Sequence, residues 1–162
     1  MSHRGDPGRR LRRAVLLVAA IAFLAIPRAS AEPAVLLGVW LIDGRAAVQI
    51  FDCDGLTCGR IIWLVVPRNA AGQLSRDDKN LDLALAQRPL CGLTILWGLR
   101  SASPDRWQAG WFYNPNDGKT YRVSAQLKSA DVLVARIYVG LPVFGKTKTL
   151  LRVPRETSEG WC

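Results

Sequence analysis

The chain has 162 residues and a formal net charge of +9 at pH 7, yet it has one histidine, His3, and one methionine, Met1. This length suits one domain with a buried core. Both residues lie in an N-terminal segment that we predict to be removed. The remaining chain then has no imidazole for a catalytic triad or a zinc site, and no thioether for copper.

The N-terminus has the three parts of a signal peptide. Five arginines precede an apolar run at 14–26, Pro27 ends that run, and a small-x-small pattern follows at 29–31. We therefore predict that residues 1–31 are a signal peptide, cleaved before Glu32. The run is shorter than the ~20 residues of a membrane-spanning helix, which argues against an uncleaved anchor. Paired arginines leave both the general and the twin-arginine export routes open.

Removal of residues 1–31 lowers the net charge. The 131 residues that remain carry 16 basic and 12 acidic side chains, which gives +4. A mild positive charge fits an anionic envelope surface or plain solubility, and export disfavours nucleic acid as a partner. The expected partners are a small molecule or an anionic envelope component, with no membrane span in the mature chain.

The mature chain has four cysteines: Cys53, Cys58, Cys91 and Cys162. An even number behind a signal peptide indicates two disulfides in an oxidising compartment. Sequence permits three pairings. A short hairpin turn favours Cys53 with Cys58, and this leaves Cys91 with Cys162. A redox role is disfavoured, because redox cysteines are usually spaced Cys-x-x-Cys near the start of a helix.

Short segments with strand-forming residues and period-two alternation recur along the mature chain and are joined mostly by turn formers such as Asp43-Gly44. The predicted strands are 35–42, 45–52, 58–66, 92–99, 106–113, 119–127, 132–139 and 146–153. The fold class is therefore all-β, an eight-stranded antiparallel up-and-down barrel in a single domain over 32–162. A β-sandwich is the rival architecture.

Residues 67–91 interrupt the strands with a long connection. It begins polar, and the apolar spacing at 81–86 predicts one or two helical turns ended by Pro89. A connection of this length in a compact domain is usually a functional lid or a cover for the barrel.

Two acidic motifs have ordinary explanations. Asp52 begins a calcium-like Asp-x-Asp-Gly motif, but the twelfth position is Trp63 where a calcium loop needs glutamate, so we interpret it as a solvated turn. Asp77 and Asp78 are interpreted as helix caps or solvated carboxylates. We expect no metal, no cofactor and no enzymatic activity.

The best candidates for a ligand site lie around the hairpin that follows the fifth strand. Asn114, Asp117, Lys119 and Tyr121 combine donors, acceptors and charge at one end of the predicted barrel. Arg88, in the long connection, adds a possible cationic contact. The alternative is a turn that satisfies its own hydrogen bonds, with Arg88 paired to an acid.

The eighth strand places its basic residues on one parity. If residues 147, 149, 151 and 153 face inward, then Lys146, Lys148 and Arg152 form a basic outer stripe, which Arg122 and Arg136 extend. Lipopolysaccharide, anionic lipid or an acidic partner would suit such a stripe. The alternative is a solvated surface.

Several motifs follow one another in order between residues 36 and 153. They are Gly38-x-Trp40, Asp43-Gly44, Cys53-x4-Cys58-Gly59-Arg60-Ile61, Trp63-Leu64, Arg88-Pro89-Leu90, Gly92-Leu93, Tyr113-Asn114-Pro115-x-Asp117-Gly118-Lys119-Thr120-Tyr121 and Phe144-Gly145-Lys146-Thr147. With them the chain resembles domain-of-unknown-function family 2147, a group of small exported bacterial proteins. The resemblance implies a compartment and a fold, without an established activity or catalytic residue. Cys91 and Cys162 depart from the family pattern, so the second disulfide is peculiar to this sequence.

A looser resemblance is to lipocalin-like barrels. In those barrels an arginine of the last strand stacks on the tryptophan of a first-strand Gly-x-Trp at the closed end. The corresponding residues here are Trp40 and Arg152. A guanidinium over an indole face gains ~0.5–2 kcal/mol.

Three functional hypotheses follow. The first is an exported lipocalin-like barrel that binds a small, partly apolar ligand or an envelope component. The second is a solid-cored structural or interaction module at the cell envelope. A cavity of roughly 300 Å³ or more favours the first, and a filled core favours the second. An enzyme ranks third, because the mature chain has no histidine and no nucleophile motif.

The signal peptide and the disulfides are tested together by mass spectrometry of non-reduced protein recovered from cells. We expect a mass that begins at Glu32 and no reaction with a thiol label. A labelled cysteine would contradict the two disulfides, and a mass that includes residues 1–31 would contradict cleavage.

Overall fold

The computed structural model describes residues 35–154 and Cys162. The predicted signal peptide lies outside the described residues. Eight β-strands occur in the described part of the chain: β1 Gly38–Ile42, β2 Ala46–Cys53, β3 Leu56–Leu64, β4 Thr94–Ser103, β5 Arg106–Asn114, β6 Lys119–Ser129, β7 Val132–Tyr138 and β8 Lys146–Val153.

The strands form a closed antiparallel barrel. Each strand pairs with its neighbour in sequence, and β8 returns to pair with β1. Closure pairs both edges of the sheet, which a sandwich of two open sheets does not do. The predicted all-β, up-and-down barrel is confirmed, and the sandwich is excluded.

The strand boundaries differ from the predicted ones by up to four residues, and two of these differences have a physical reason. Ser101, placed in a turn by the sequence, pairs with Trp107, so β4 continues to Ser103. At the other boundary β3 ends at Leu64, and Val65 and Val66 are 51% and 60% exposed. The apolar run 61–66 therefore continues two residues past the end of β3, into the exposed start of the long connection.

The connections alternate between the two ends of the barrel, as they must when neighbouring strands are antiparallel. We call one end the open end; it carries the connections at 43–45, 65–93, 115–118 and 139–145. The opposite, closed end carries the turns at 54–55, 104–105 and 130–131.

Trp40 and Arg152 meet at the closed end. Trp40 is fully buried, and its Nε1 donates a hydrogen bond to the Leu36 carbonyl at 2.9 Å. The Arg152 Cζ lies 4.2 Å from the centroid of the Trp40 ring. Arg152 also donates hydrogen bonds to the backbone carbonyls of Ala130, Leu37 and Val35. One side chain thus joins the segment before β1, the β6–β7 turn and β8.

Gly38 makes room for this arginine. Its φ is +132°, and a Cβ built at this position would lie 2.6 Å from the Arg152 Nη1. Any larger residue would be strained and would push the guanidinium away from the indole. This explains why glycine precedes Trp40 by two residues.

The long connection contains one short helix, α1, at Leu83–Ala86. Its N-cap is Asp82, whose side chain accepts a hydrogen bond from the Ala84 amide at 2.9 Å. The predicted helical turn is confirmed.

Both favoured disulfides are present. Cys53 and Cys58 flank the β2–β3 turn with their Cα atoms 5.9 Å apart, and Cys91 joins Cys162 with the Cα atoms 5.8 Å apart. The first cross-links one hairpin, and the second ties the last residue of the chain to the end of the long connection.

Arg152→Ala tests the closed end. The change leaves three backbone carbonyls without this donor and removes the stacking on Trp40, so we expect the free energy of unfolding to fall by about 2–4 kcal/mol in a urea titration. Arg60→Ala is the matched control, because Arg60 lies over Phe51 on the exposed surface. It is expected to cost less than about 1 kcal/mol. Equal effects of the two changes would contradict the role of Arg152.

Candidate ligand site

The barrel encloses a cavity of about 550 Å³ that reaches the open end. This volume lies in the range of small-molecule sites. The interior is therefore not filled by side chains. The cavity wall is mainly apolar and includes Val48, Ile50, Leu99, Phe112, Val123 and Leu133.

Strand alternation builds this wall. Tyr121, Val123 and Ala125 of β6 line the cavity at every second position, and Ala135 and Ile137 do the same in β7. Residues two apart share one face of a strand, so the intervening side chains point away from the cavity.

β8 turns its lysines towards the cavity. Arg152 is paired with Trp40 in the β1–β8 register, and both lie on the inner side of the closed end. Lys148 and Lys146 share the parity of Arg152 and line the cavity. The prediction of a basic stripe on the outer face of β8 is therefore wrong. Thr147 lies on the other face, where its hydroxyl accepts a hydrogen bond from Arg136 at 2.8 Å.

The two lysines differ in their partners at the rim. Lys148 forms an ion pair with Asp43 of the β1–β2 turn. For the Lys146 ammonium, residues 35–154 supply neither an ion pair nor a hydrogen bond. One cation at the rim is thus compensated within the barrel, and the other faces the cavity mouth uncompensated by that part of the chain.

The predicted ligand residues around the β5–β6 turn form one hydrogen-bonded group. Asp117 accepts hydrogen bonds from the Tyr121 hydroxyl at 2.7 Å and from Asn114 Nδ2 at 2.8 Å. It also accepts one from the backbone amide of Lys119 at 3.0 Å. Asn114, Asp117 and Tyr121 line the cavity, whereas Lys119 contributes this amide and its side chain does not line the wall.

These hydrogen bonds shift the ionisation of both partners. Burial alone would raise the pKa of the Asp117 carboxyl, but the bonds from Tyr121, the Lys119 amide and Asn114 outweigh it and lower the pKa below its usual value. The bond to Asp117 raises the pKa of the Tyr121 hydroxyl, and burial adds to that effect. The group is therefore a carboxylate with a neutral phenol at neutral pH.

Arg88 lies elsewhere, on the outside of the barrel. Its Nε and Nη2 contact Asp77 Oδ2 at 2.9 and 2.8 Å, and its guanidinium lies 5.4 Å from the Tyr113 ring centroid. Tyr113 sits between Phe112 and Asn114, which both line the cavity, so its side chain points outward. Arg88 does not line the cavity with the other candidates.

Asp77 is the centre of this outer group. It is fully buried, and it accepts hydrogen bonds from Tyr113 at 2.6 Å and Asn80 at 2.9 Å in addition to Arg88. The interpretation of Asp77 as a cap or solvated carboxylate is wrong. Burial raises the pKa of Tyr113, and the bond to Asp77 adds to the rise.

The long connection therefore lies against the outside of the barrel. Asp77 binds the outward face of β5, and the Lys79 carbonyl packs so closely on Gly118, whose φ is +67°, that no Cβ fits there. All of residues 65–93 are described, and none of them lines the cavity.

Sequence reasoning missed several residues that line the cavity near its rim. They include Asp43 and Phe144 of two other connections, Asn116 of the β5–β6 turn, Tyr138 of β7, and Lys146 and Lys148 of β8. A usable signal existed for the lysines. The stacking of Arg152 on Trp40 already implies that β8 turns its even-numbered residues inward.

Within 35–154 and Cys162 there is no group of three or more His, Cys, Asp or Glu residues that could hold a metal ion. The helices in the same part of the chain are too short or too polar to cross a membrane.

A closed eight-stranded barrel with an internal cavity and an arginine stacked on the first-strand tryptophan defines a lipocalin-like protein. The chain belongs to the family described as an uncharacterized protein conserved in bacteria (DUF2147), whose model matches residues 38–152.

The chain is similar to the solved structure of protein HP1028 from the human pathogen Helicobacter pylori, described as belonging to the lipocalin family. The two are 26% identical with a TM-score of 0.68, and the similarity covers 76% of this chain and 86% of that one. No curated protein matches the chain.

Tyr121→Phe tests the hydrogen-bonded group at the rim. Loss of the phenol is expected to raise the pKa of Asp117 in a carboxyl NMR titration, because one donor to the carboxylate disappears. Tyr138→Phe is the control, since Tyr138 lines the same mouth but is not among the Asp117 donors. An unchanged Asp117 titration in Tyr121→Phe would contradict the assignment.

The hydrogen bond from Tyr121 to Asp117 stabilises the folded state only within a pH window. The lowered pKa of Asp117 means that its contribution is present above the unfolded value of about 3.9 and is lost as pH falls through the lower folded value. The raised pKa of Tyr121 means that its contribution is present below about 10 and is lost as pH rises through the higher folded value.

Proposed function

We propose that this protein is an exported bacterial barrel that binds one small, partly apolar molecule inside its cavity. The observation that carries the proposal is the cavity of about 550 Å³ with an apolar wall and a polar rim. Barrels of eight strands are wide enough either to fill with side chains or to hold one small ligand. This interior is of the second kind.

The distribution of polarity supports a ligand with two different ends. Apolar ligand surface gains about 25 cal/mol per Å² when it leaves water for the wall formed by residues such as Leu99 and Val123. A polar end would remain near Asn114, Asp117 and Lys146, where it keeps hydrogen-bonding partners and access to water.

Two observations support export. The N-terminus has the organisation of a signal peptide, and the disulfides Cys53–Cys58 and Cys91–Cys162 suit an oxidising compartment such as the periplasm or the cell exterior. The solved structure of a lipocalin-family protein with the same fold supports the proposed binding role.

Binding is also favoured over catalysis by the state of the acidic residues. The fully buried carboxylate, Asp77, already accepts hydrogen bonds from three side chains outside the cavity. Asp117 at the rim is occupied by Tyr121 and Asn114 and has a lowered pKa, the opposite of what a general acid at neutral pH needs.

Titration with N-phenyl-1-naphthylamine, a small apolar dye that fluoresces out of water, tests the proposal. We expect saturable fluorescence enhancement with one dye per chain. Ala135→Phe extends a ring into the cavity and is expected to weaken dye binding about tenfold or more, since the ring takes up space that the ligand needs.

Val134→Phe is the matched control, because Val134 neighbours Ala135 in β7 but does not line the cavity. It should leave dye affinity unchanged. Unfolding curves of both variants establish that the barrel is intact. A wild-type protein that does not bind the dye, or equal binding by folded Ala135→Phe, would contradict an accessible apolar cavity.

A further inference from the structure

The β7–β8 connection displays largely exposed apolar side chains, of which Val139 and Phe144 also border the cavity mouth. Val139, Leu141, Val143 and Phe144 are between 63% and 81% exposed, and all lie within residues 139–145. Isolated exposed apolar residues are normal on a protein surface. Four of them on one short loop beside a cavity mouth form a concentrated apolar projection.

Hydrogen bonds hold this loop in place. Arg136 donates from Nε to the Pro142 carbonyl and from Nη2 to the Val143 carbonyl, both at 2.8 Å. The loop also contains a short 3₁₀ turn, Pro142–Phe144, closed by the Gly145 amide. The carbonyls of Leu141, Pro142 and Val143 are thus engaged, while the apolar side chains of the loop stay largely exposed.

A second apolar projection lies at the same end of the barrel. Leu81 and Leu83 of the long connection are 84% and 82% exposed. The contact of the Lys79 carbonyl with Gly118 places this part of the connection beside the β5–β6 turn. The β5–β6 turn and the β7–β8 loop both lie at the open end, so the two projections stand on the same rim of the barrel.

Charge beside the β7–β8 loop favours an anionic surface. Lys146 directly follows the β7–β8 loop and has no ion-pair partner within 35–154. At the second projection the exposed Lys79 and Lys119 are balanced by Asp78, Asp82 and Asp117, so that projection contributes apolar side chains without net positive charge. An exposed apolar loop followed by a lysine with no ion-pair partner in the described part of the chain matches the depth profile of a membrane interface, where acyl chains lie beneath phosphate groups.

We propose that the open end of the barrel docks on an anionic phospholipid bilayer. Leu141, Val143 and Phe144 enter the interface, and Lys146 contacts lipid phosphate. The apolar groups stand on two separate connections, so a fluid surface that adapts to each of them suits them better than a rigid protein face. The proposal holds whether or not the cavity takes a ligand.

Vesicle flotation of the protein as recovered from cells tests this docking. We expect it to float with vesicles of phosphatidylethanolamine and phosphatidylglycerol and to bind phosphatidylcholine vesicles much less. Phe144→Ser and Leu141→Ser should each weaken binding about tenfold, because one buried apolar side chain is lost from the interface. Lys146→Gln should weaken binding to the anionic vesicles alone, as should added salt.

Leu151→Ser is the matched control, since Leu151 is 53% exposed on the outer wall of β8 and away from the open end. It should bind vesicles as the unchanged protein does. All variants carry the same N-terminus, so binding through the apolar run 14–26 would be common to them all and would not mimic the loop effect.

Leu141 does not line the cavity, so Leu141→Ser separates docking from ligand binding. We expect it to reduce flotation and to leave binding of N-phenyl-1-naphthylamine unchanged. Flotation that is insensitive to Leu141→Ser and Phe144→Ser would overturn the proposal. A second result would also overturn it: a protein that does not bind vesicles but forms a concentration-dependent dimer that these changes abolish. The exposed loops would then be an interface with a second copy of the chain.

Discussion

The packing of Arg152 on Trp40 is the contact on which the rest of the barrel depends. It occurs where β8 meets β1, the one pairing between strands that are distant in sequence, and it adds hydrogen bonds to three backbone carbonyls. Since side chains alternate along a strand, placing Arg152 on the inner side also decides the facing of Lys148 and Lys146. A closing contact at one end of the barrel thus determines which charges stand at the other.

The resulting interior changes character along the barrel axis. The closed end is plugged by the Trp40 indole, the middle is apolar, and the open end has an ion pair between Asp43 and Lys148 and a carboxylate group at Asp117. Charged side chains can occupy the rim because water still reaches them there, whereas the same charges deeper in the wall would lose their hydration without a partner. The change from apolar to charged side chains along the barrel axis is therefore a consequence of solvent access as well as of sequence.

The long connection illustrates how a polar segment can pack against a barrel without entering it. Burying the Asp77 carboxylate is costly unless hydrogen bonds replace its water, and Arg88, Asn80 and Tyr113 supply them. Because Tyr113 points outward from β5, this anchor holds the connection on the outer wall and leaves the cavity mouth clear. Arg88 is thereby committed to Asp77, and the cations that line the cavity are Lys148, which pairs with Asp43, and Lys146.

The sequence by itself determined the eight strands, the helical turn near Leu83, the two disulfide pairs and the meeting of Trp40 with Arg152. The strands, the helical turn and the Cys53–Cys58 pair follow from local signals: alternation of apolar residues, turn formers, and the spacing of cysteines around a hairpin. The Cys91–Cys162 pair follows by elimination, and the meeting of Trp40 with Arg152 is implied by the resemblance to lipocalin-like barrels. The tertiary structure decided which parity of β8 faces inward, how far β3 and β4 extend, and that Asp77 is buried. Those depend on inter-strand register and on contacts between residues 36 positions apart, such as Asp77 with Tyr113, which no local pattern encodes.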